Sequence, residues 1–431
     1  MDILFVNAPV NTVTDHSRFC PPLGLAYLCS VLIEHEYDLS AVDLNVTGFE
    51  RILLAGIIER ENPKLIGIST TTETYLNGLE IARIAKQINP NTKIVMGGVH
   101  ASVMHGEAAK EKCIDIVVRG EGEVTLLELA DYLIRKNGAL SDIYGITYEE
   151  NGDLVVTPDR PLLKNPDNLP LPSLGLFPLQ LYHYPGRILS SRGGCQFNCR
   201  FCAVNSIWKG RRRSRSPESL VQEIIHINRE LQLEEISFAD DTFTTDRNMV
   251  LDLCRQSQRI RPIFPWHWTC STRVNLVDDA LLHNMRSAGC YHIQYGIEAG
   301  SQQIFDSIGK GITLKQIRLA VKASLEAGMG VLCSFMFPQP EDTEETIREQ
   351  GSLMAELQNM GAELSVAFTT PYPGTYYYNH AKELGIQILA KNWSEYDAKH
   401  LIITTRHLNE DKLNELFEEH IRRVMINRQS V

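Results

Sequence analysis

Twice along the chain, short apolar runs alternate with segments of helical period, and few folds accept that alternation. In the first third the runs are "DILFVNA", "DLSAVDLN", "LIGIST", "KIVMGG" and "DIVVRG". Between them, "LGLAYLCSVLIEH", "GFERILLAGIIERE", "NGLEIARIAKQIN" and "ASVMHGEAAKEK" carry helical spacing, and "TLLELADYLIRK" closes the set. Apolar strands joined by helices call for a parallel sheet covered on both faces. Ligands of such doubly wound sheets lie beyond the carboxyl ends of the strands. Those ends read "NAPV", "STTTET", "GGVHAS" and "RGEGEVT". Their glycines let a ligand approach the backbone, and their hydroxyls supply hydrogen bonds. Ordinary loop chemistry would leave the same composition. No G-x-G-x-x-G follows the first run, which argues against a dinucleotide.

The second alternation predicts strands at 187–192, 235–239, 265–270, 291–297, 330–337 and 363–369. Helical patterns such as "PESLVQEIIHINREL" and "LKQIRLAVKASLEAG" lie between them. Six strand–helix units predict a barrel or an open part-barrel, with its chemistry on the loops after the strands. Between the two alternations, "ITYEENGDLVVTPDR" reads as a hairpin with an Asn-Gly turn. The proline-dense "PLLKNPDNLPLPSLGLFPLQLYHYP" reads as a surface connector. The expected domains are therefore a sheet domain over 1–143, a linker over 144–185, a barrel over 186–370 and a small helical C-terminal region over 371–431.

The totals exclude several classes. A net charge of −11 gives no reason to expect nucleic acid as a partner. The opening "MDILFVNAPV" has no basic leader and reads as a buried strand, and no apolar stretch is long enough for a membrane span. The expected compartment is the cytoplasm, where thiols stay reduced, so ten cysteines do not imply a disulfide framework.

Seven cysteines are scattered (Cys20, Cys29, Cys113, Cys254, Cys270, Cys290, Cys333), whereas "SSRGGCQFNCRFCAVNS" gathers Cys195, Cys199 and Cys202 just after the first barrel strand. A structural zinc site wants four ligands, and no fourth cysteine follows nearby. An iron–sulfur cubane usually takes four thiolates. Three would leave one iron open to a substrate, as an open zinc position is. Gly193 and Gly194 allow the chain to wrap a bulky cluster, and Arg192 and Arg200 would offset its charge or simply be solvated.

Cys195-x₃-Cys199-x₂-Cys202, with Phe201 before the last cysteine, resembles the signature of the radical S-adenosylmethionine (SAM) superfamily. The resemblance implies a [4Fe–4S] cluster on these three cysteines and SAM on the open iron, cleaved to a 5′-deoxyadenosyl radical. It also implies a partial (β/α)₆ barrel. "ISFADDTFT" resembles the family's second-strand segment, with Asp240 and Asp241 at its end. "STRVN" resembles an element whose Arg273 would meet the SAM carboxylate. "QYGIEAGSQ" resembles the stretch that cradles the ribose, with Glu298 as a hydroxyl partner. With Phe201, these are the expected SAM contacts. Each also has a plain reading: turn caps for the aspartates, an ion pair for Arg273, a helix cap for Glu298. "FMFPQPEDTEET" resembles a segment that usually reads G-x-P-G-E-T, with Gln339-Pro340 replacing the glycine step.

The whole chain resembles the cobalamin-binding subgroup, through "PPLGLAYLCSVL", "GGVHAS", "RGEGEVT", "LPLPS" and "TPYPGT" in order. The first domain would then be a Rossmann-like cobalamin binder. Many cobalamin sheets carry D-x-H-x-x-G. That motif is absent here, and Asp15-His16 has the wrong spacing. Binding would rest on shape and backbone contacts, at Thr70, Thr71, Thr72, Gly97, Gly98, Gly120 and Glu121. The activity implied is methyl transfer from SAM through methylcobalamin to an unactivated carbon after hydrogen abstraction. A cyclase or rearrangement enzyme is the alternative. A methylthiotransferase is a further one and would need Cys20, Cys29 and Cys113 for a second cluster. A cluster-bearing electron carrier or cobalamin scaffold fits the barrel units poorly. Expected partners are an external electron donor of flavodoxin or ferredoxin type and a small-molecule or peptide substrate. "KGRRRSRS" (209–216) reads as a solvated loop or as a contact for an anion. In "FPWHWTC", His267 faces away from Trp266 and Trp268, either into the barrel or as a satisfied core histidine. Tyr372, Tyr376, Tyr377 and Tyr378 read mostly as a packed cluster.

Overall fold

The computed structural model describes residues 1–11 and 20–426. Asp15 and His16 lie outside the described residues. The chain divides into two compact units, Met1–Arg187 with Asn392–Ser394, and Ile188–Lys391 with Glu395 onward.

In the first unit each predicted apolar run is a strand: β1 (Ile3–Asn7), β2 (Leu39–Asp43), β3 (Leu65–Ser69), β4 (Lys93–Gly97) and β5 (Ile116–Val118). They are parallel, in the order β2-β1-β3-β4-β5. Ile3, Leu4, Val6, Leu65 and Ile66 have no exposed surface, as strands sandwiched between helices require. The order turns back between β1 and β3, a switch point of the kind that opens a ligand crevice. The hairpin predicted ahead of the proline-rich stretch forms β6 (Ile146–Glu150) and β7 (Asp153–Val156), turning at Asn151 and Gly152, both at positive φ. It extends this sheet, with β6 antiparallel to β5. The proline-rich stretch does not wander. Leu174, Phe177 and Tyr182 are buried. Ser173 N–H donates to the Ala26 carbonyl, and the Tyr182 hydroxyl donates to Asp43 at 2.9 Å.

The second unit begins with β8 (Gly186–Ile188), which straddles the division, and a small antiparallel pair, β9 (Ser191–Arg192) and β10 (Arg213–Ser214). Then follow β11 (Glu235–Phe238), β12 (His267–Thr272), β13 (Cys290–Glu298), β14 (Gly330–Phe337) and β15 (Glu363–Phe368). These five are successive parallel neighbours, with β8 at the edge beside β11. The six predicted units are thus a six-stranded open part-barrel.

Burial alternates along β11, β12 and β14 and along β13 from Ile293 onward, whereas β15 is exposed at its start and half-buried after it. Trp268, Cys270, Ile293, Tyr295, Val331, Cys333 and Phe335 pack beneath the helices. Thr269, Ser271, Gln294, Ser334 and Ser365, on the other face, are half-buried. There a hydrogen-bonded band crosses four strands. Ser271 Oγ donates to Gln294 Oε1 at 3.3 Å, Gln294 Nε2 donates to Ser334 Oγ at 2.8 Å, and Ser365 Oγ donates to Ser334 at 2.9 Å. His267 is exposed beside Tyr291, with ring centroids 5.2 Å apart, so it is not a core histidine. The C-terminal region is only partly helical: a two-strand pair precedes the helix Glu410–Leu416.

Candidate active site

The cluster loop leaves β9 and runs into the short helix Val204–Trp208. Gly193 and Gly194 both lie at positive φ. A Cβ on Gly193 would strike the Arg211 carbonyl, and one on Gly194 would strike Val204. Glycine is therefore required for the turn itself. Cys195, Cys199 and Cys202 are free thiols, half-buried on this loop. The Thr242 hydroxyl donates to Cys195 Sγ at 3.2 Å and Arg273 Nη1 donates to Cys199 Sγ at 3.5 Å. Burial pushes the Cys202 thiol up to about 11, against a hydrogen bond from the Val204 backbone. Among the described residues no three side chains of metal-ligating type converge on a single ion. A cluster makes no such demand, because each thiolate binds a different iron. Three reduced thiols on one loop, with donors directed at their sulfurs, fit a cubane with one open iron.

The basic run after the loop is solvated only at its start: Lys209, Gly210 and Arg211 are exposed, and the arginines after them are engaged. Arg215 forms an ion pair with Glu223 in which both side chains are almost fully buried, and it also donates to Ser219. Arg212 donates to Ser191 and Ser214.

Asp240 and Asp241 follow β11. Asp240 is 5% exposed. It accepts from the Ser190 amide, the Ser190 hydroxyl and the Ser191 hydroxyl at 2.8, 2.9 and 2.6 Å, which clamps the chain between β8 and β9. Burial nevertheless raises its pKa, opposed by those three donors. Asp241 is exposed at the loop, with Gly194 beside it.

Glu298 ends β13 at φ +74, just after a register shift against β14. Bulges of this kind re-aim a side chain. A Cβ on Gly296 would strike the Glu298 carboxylate, so the glycine makes room for it. Lys310 Nζ pairs with Glu298 Oε1 at 3.0 Å, with side chains 6% and 14% exposed. Lys310 also passes 5.8 Å from the Phe201 ring centroid, and its carbonyl accepts from Arg273 Nη2. Sequence reasoning missed Lys310. Its signal was the pair of flanking glycines, Gly309 and Gly311, both at positive φ. Gln339, fully buried, donates to the Glu298 carbonyl at 3.2 Å and accepts from the Tyr377 hydroxyl at 2.8 Å. The glutamine at the departure from G-x-P-G-E-T thus braces the bulge. Tyr377 is packed, as expected of that cluster, while Tyr376 is exposed and stacks on His380.

In the first unit, the candidate residues cluster at the carboxyl ends of β3, β4 and β5. Thr70 donates to the Gly97 carbonyl through its amide at 3.0 Å and its hydroxyl at 3.2 Å. Thr71 is tied to Thr74. Gly98, at φ +98, faces the Thr70 backbone so closely that a Cβ would strike it. Gly97 and Gly120 are open among the described residues: a Cβ would meet the Val118 carbonyl only at 3.8 Å at the first and nothing within 4 Å at the second. Glu121 is buried and accepts from the Leu163 amide at 2.8 Å. Thr72 meets His100 Nδ1 at 3.2 Å. His100 was not singled out from the sequence. It is 1% exposed, and burial pushes its pKa down to about 4. Among the described residues, its Nε2 and the nearby Tyr75 hydroxyl are buried without a hydrogen-bond partner. Open glycines and orphaned polar atoms at the carboxyl edge fit a large polar cofactor held by shape.

A parallel sheet with an open ligand edge, joined to a part-barrel with three thiols at its mouth, defines a two-cofactor enzyme. The B12 binding domain family matches residues 13–130, and the Radical SAM superfamily matches residues 189–354. An uncharacterized methyltransferase of Pyrococcus horikoshii is 35% identical over 405 residues, 93% of this chain and 86% of that protein. The anaerobic magnesium-protoporphyrin IX monomethyl ester cyclase of Rubrivivax gelatinosus is 26% identical over 421 residues, 95% of this chain and 74% of that protein. The radical SAM methyltransferase TsrM from Kitasatospora setae, solved with cobalamin and a [4Fe–4S] cluster, shares the fold. Its TM-score is 0.79 at 18% identity, over 98% of this chain and 88% of that one. The chain belongs to the cobalamin-binding radical SAM enzymes. Its cofactors are cobalamin, a [4Fe–4S] cluster and SAM. No helix of the described residues is long and apolar enough to cross a membrane.

Proposed function

We propose that the enzyme transfers a methyl group from SAM to an unactivated carbon of its substrate after hydrogen abstraction. When bound, the cluster supplies the electron that cleaves SAM to a 5′-deoxyadenosyl radical, and cobalamin carries the methyl group. The observation that carries this reading is the 35% identical methyltransferase, which spans nearly the whole chain. Cys195, Cys199 and Cys202 would hold the cluster. Phe201, Asp241 and the Glu298–Lys310 pair border the place where SAM would lie on it, with Glu298 aimed by the bulge. Thr71, Thr72, Gly97, Gly98 and Gly120 would line the cobalamin edge, while Thr70 and Glu121 brace it from within. The half-buried polar face of the barrel would take a small-molecule or peptide substrate. A low-potential flavodoxin or ferredoxin would deliver the electron.

Ring formation is the second reading, favoured by the cyclase relative. The methylthiotransferase reading is weaker. Cys29 and Cys113 are packed thiols, 0% and 8% exposed, the first on the helix Leu23–Glu34 and the second in the turn before β5.

The test is anaerobic reconstitution with iron, sulfide and cobalamin, then incubation with SAM labelled in its methyl group and a pool of candidate substrates. Label on carbon in a product, together with 5′-deoxyadenosine, supports methyl transfer. Deoxyadenosine and a cyclised product without label would establish the second reading instead.

A further inference from the structure

The three sulfurs of the cluster loop stand in different surroundings. Thr242, 4% exposed beyond the end of β11, donates its hydroxyl to Cys195. Arg273, 5% exposed beyond the end of β12, donates Nη1 to Cys199. The rest of the Arg273 fork is already engaged. Nε donates to Asn275 Oδ1 at 3.2 Å, Nη2 donates to the Lys310 carbonyl, and the guanidinium lies 3.9 Å from the Phe197 ring centroid. Arginine grips a carboxylate with two parallel N–H groups. Both N–H groups of the Nε–Nη2 edge are spent on protein acceptors. This geometry suits a fixed donor to a thiolate better than a clamp on the SAM carboxylate.

We propose that Arg273 and Thr242 are positioning residues of the cluster that set its reduction potential. This rests on the family reading that puts the cluster on the three cysteines. Reduction adds one electron to an already anionic, thiolate-ligated group. Hydrogen bonds to the sulfurs and a nearby cation stabilise that added charge, so they raise the potential. Without them the cluster accepts an electron less readily.

The experiment uses the full chain with its cluster reconstituted without oxygen. The midpoint potential is read by a redox titration followed by electron paramagnetic resonance, in the absence of SAM. SAM affinity is measured separately by equilibrium dialysis. Arg273→Gln and Thr242→Val should each shift the reduction equilibrium about tenfold toward the oxidised form, ~59 mV for a one-electron couple, with SAM affinity unchanged. Arg273→Lys should recover part of the shift. An unchanged potential with lost SAM affinity in Arg273→Gln would overturn the proposal and return Arg273 to the SAM carboxylate. Where Arg273→Gln fails to assemble a cluster, Thr242→Val carries the test alone, and an unchanged potential there overturns it. If the potentials shift while the wild type transfers no methyl group, the functional reading fails and this one stands.

Discussion

The two cofactor regions are built on different principles. At the cluster loop, recognition would be by side-chain chemistry: three thiols, each addressed by a donor. At the edge of the first sheet it would be by backbone shape: open Gly97 and Gly120, and Gly98 pressed against Thr70. Thiolate ligation tolerates no substitute residue, so its spacing can be read in a sequence. A shape-based site can be built from many sequences, so it becomes legible only once the strands are placed. The contrast predicts that the first site fails by losing ligands, and the second by losing geometry.

Cys199→Ala should have the largest effect, abolishing turnover and most bound iron while leaving cobalamin bound. Metal analysis of the anaerobically reconstituted variant would show it, and full iron content would break the contrast. Gly98→Val should do the reverse. A β-branched residue at φ +98, with its Cβ against the Thr70 backbone, should cost ~3 kcal/mol or more. Cobalt should be lost and iron retained, and the denaturant midpoint should fall. Lys310→Met would leave the Glu298 carboxylate with little water and no cation, a loss of about 3 kcal/mol by chemical denaturation. Adding Glu298→Gln should restore most of it. Tyr377→Phe should cost only ~1 kcal/mol, because one buried hydrogen bond to Gln339 is removed. Calorimetry of the reconstituted enzyme would resolve so small a change.

The parallel strands of both sheets were legible in the apolar runs, because burial between helices forces near-continuous hydrophobicity on β1 and β3 and a strict alternation on β14; the hairpin was legible from its turn, but not its place in the first sheet. The three cysteines were legible for the chemical reason just given. The second layer was not. Lys310, Gln339 and Thr242 earn their places through partners 12, 41 and 47 residues away in the chain, and local pattern carries no trace of such pairings. Arg212 and Arg215 of "KGRRRSRS" misled for the same reason, while Arg211 is exposed as a solvated loop would have it. A basic run usually means solvent, but here Glu223 waited to bury Arg215. His267 followed its alternation away from the tryptophans and met solvent beside Tyr291. The sequence could not say whether the far side of that strand was filled.

That far side has one more consequence. A parallel sheet ordinarily has both faces covered, yet the band from Ser271 to Ser365 stays half-buried. Whatever settles on that band completes a layer of the protein as much as it enters a site. Occupancy should therefore register as thermal stability: a ligand at one hundred times its Kd adds about 2.7 kcal/mol by mass action alone. Melting temperature becomes an assay for the missing substrate that needs no turnover.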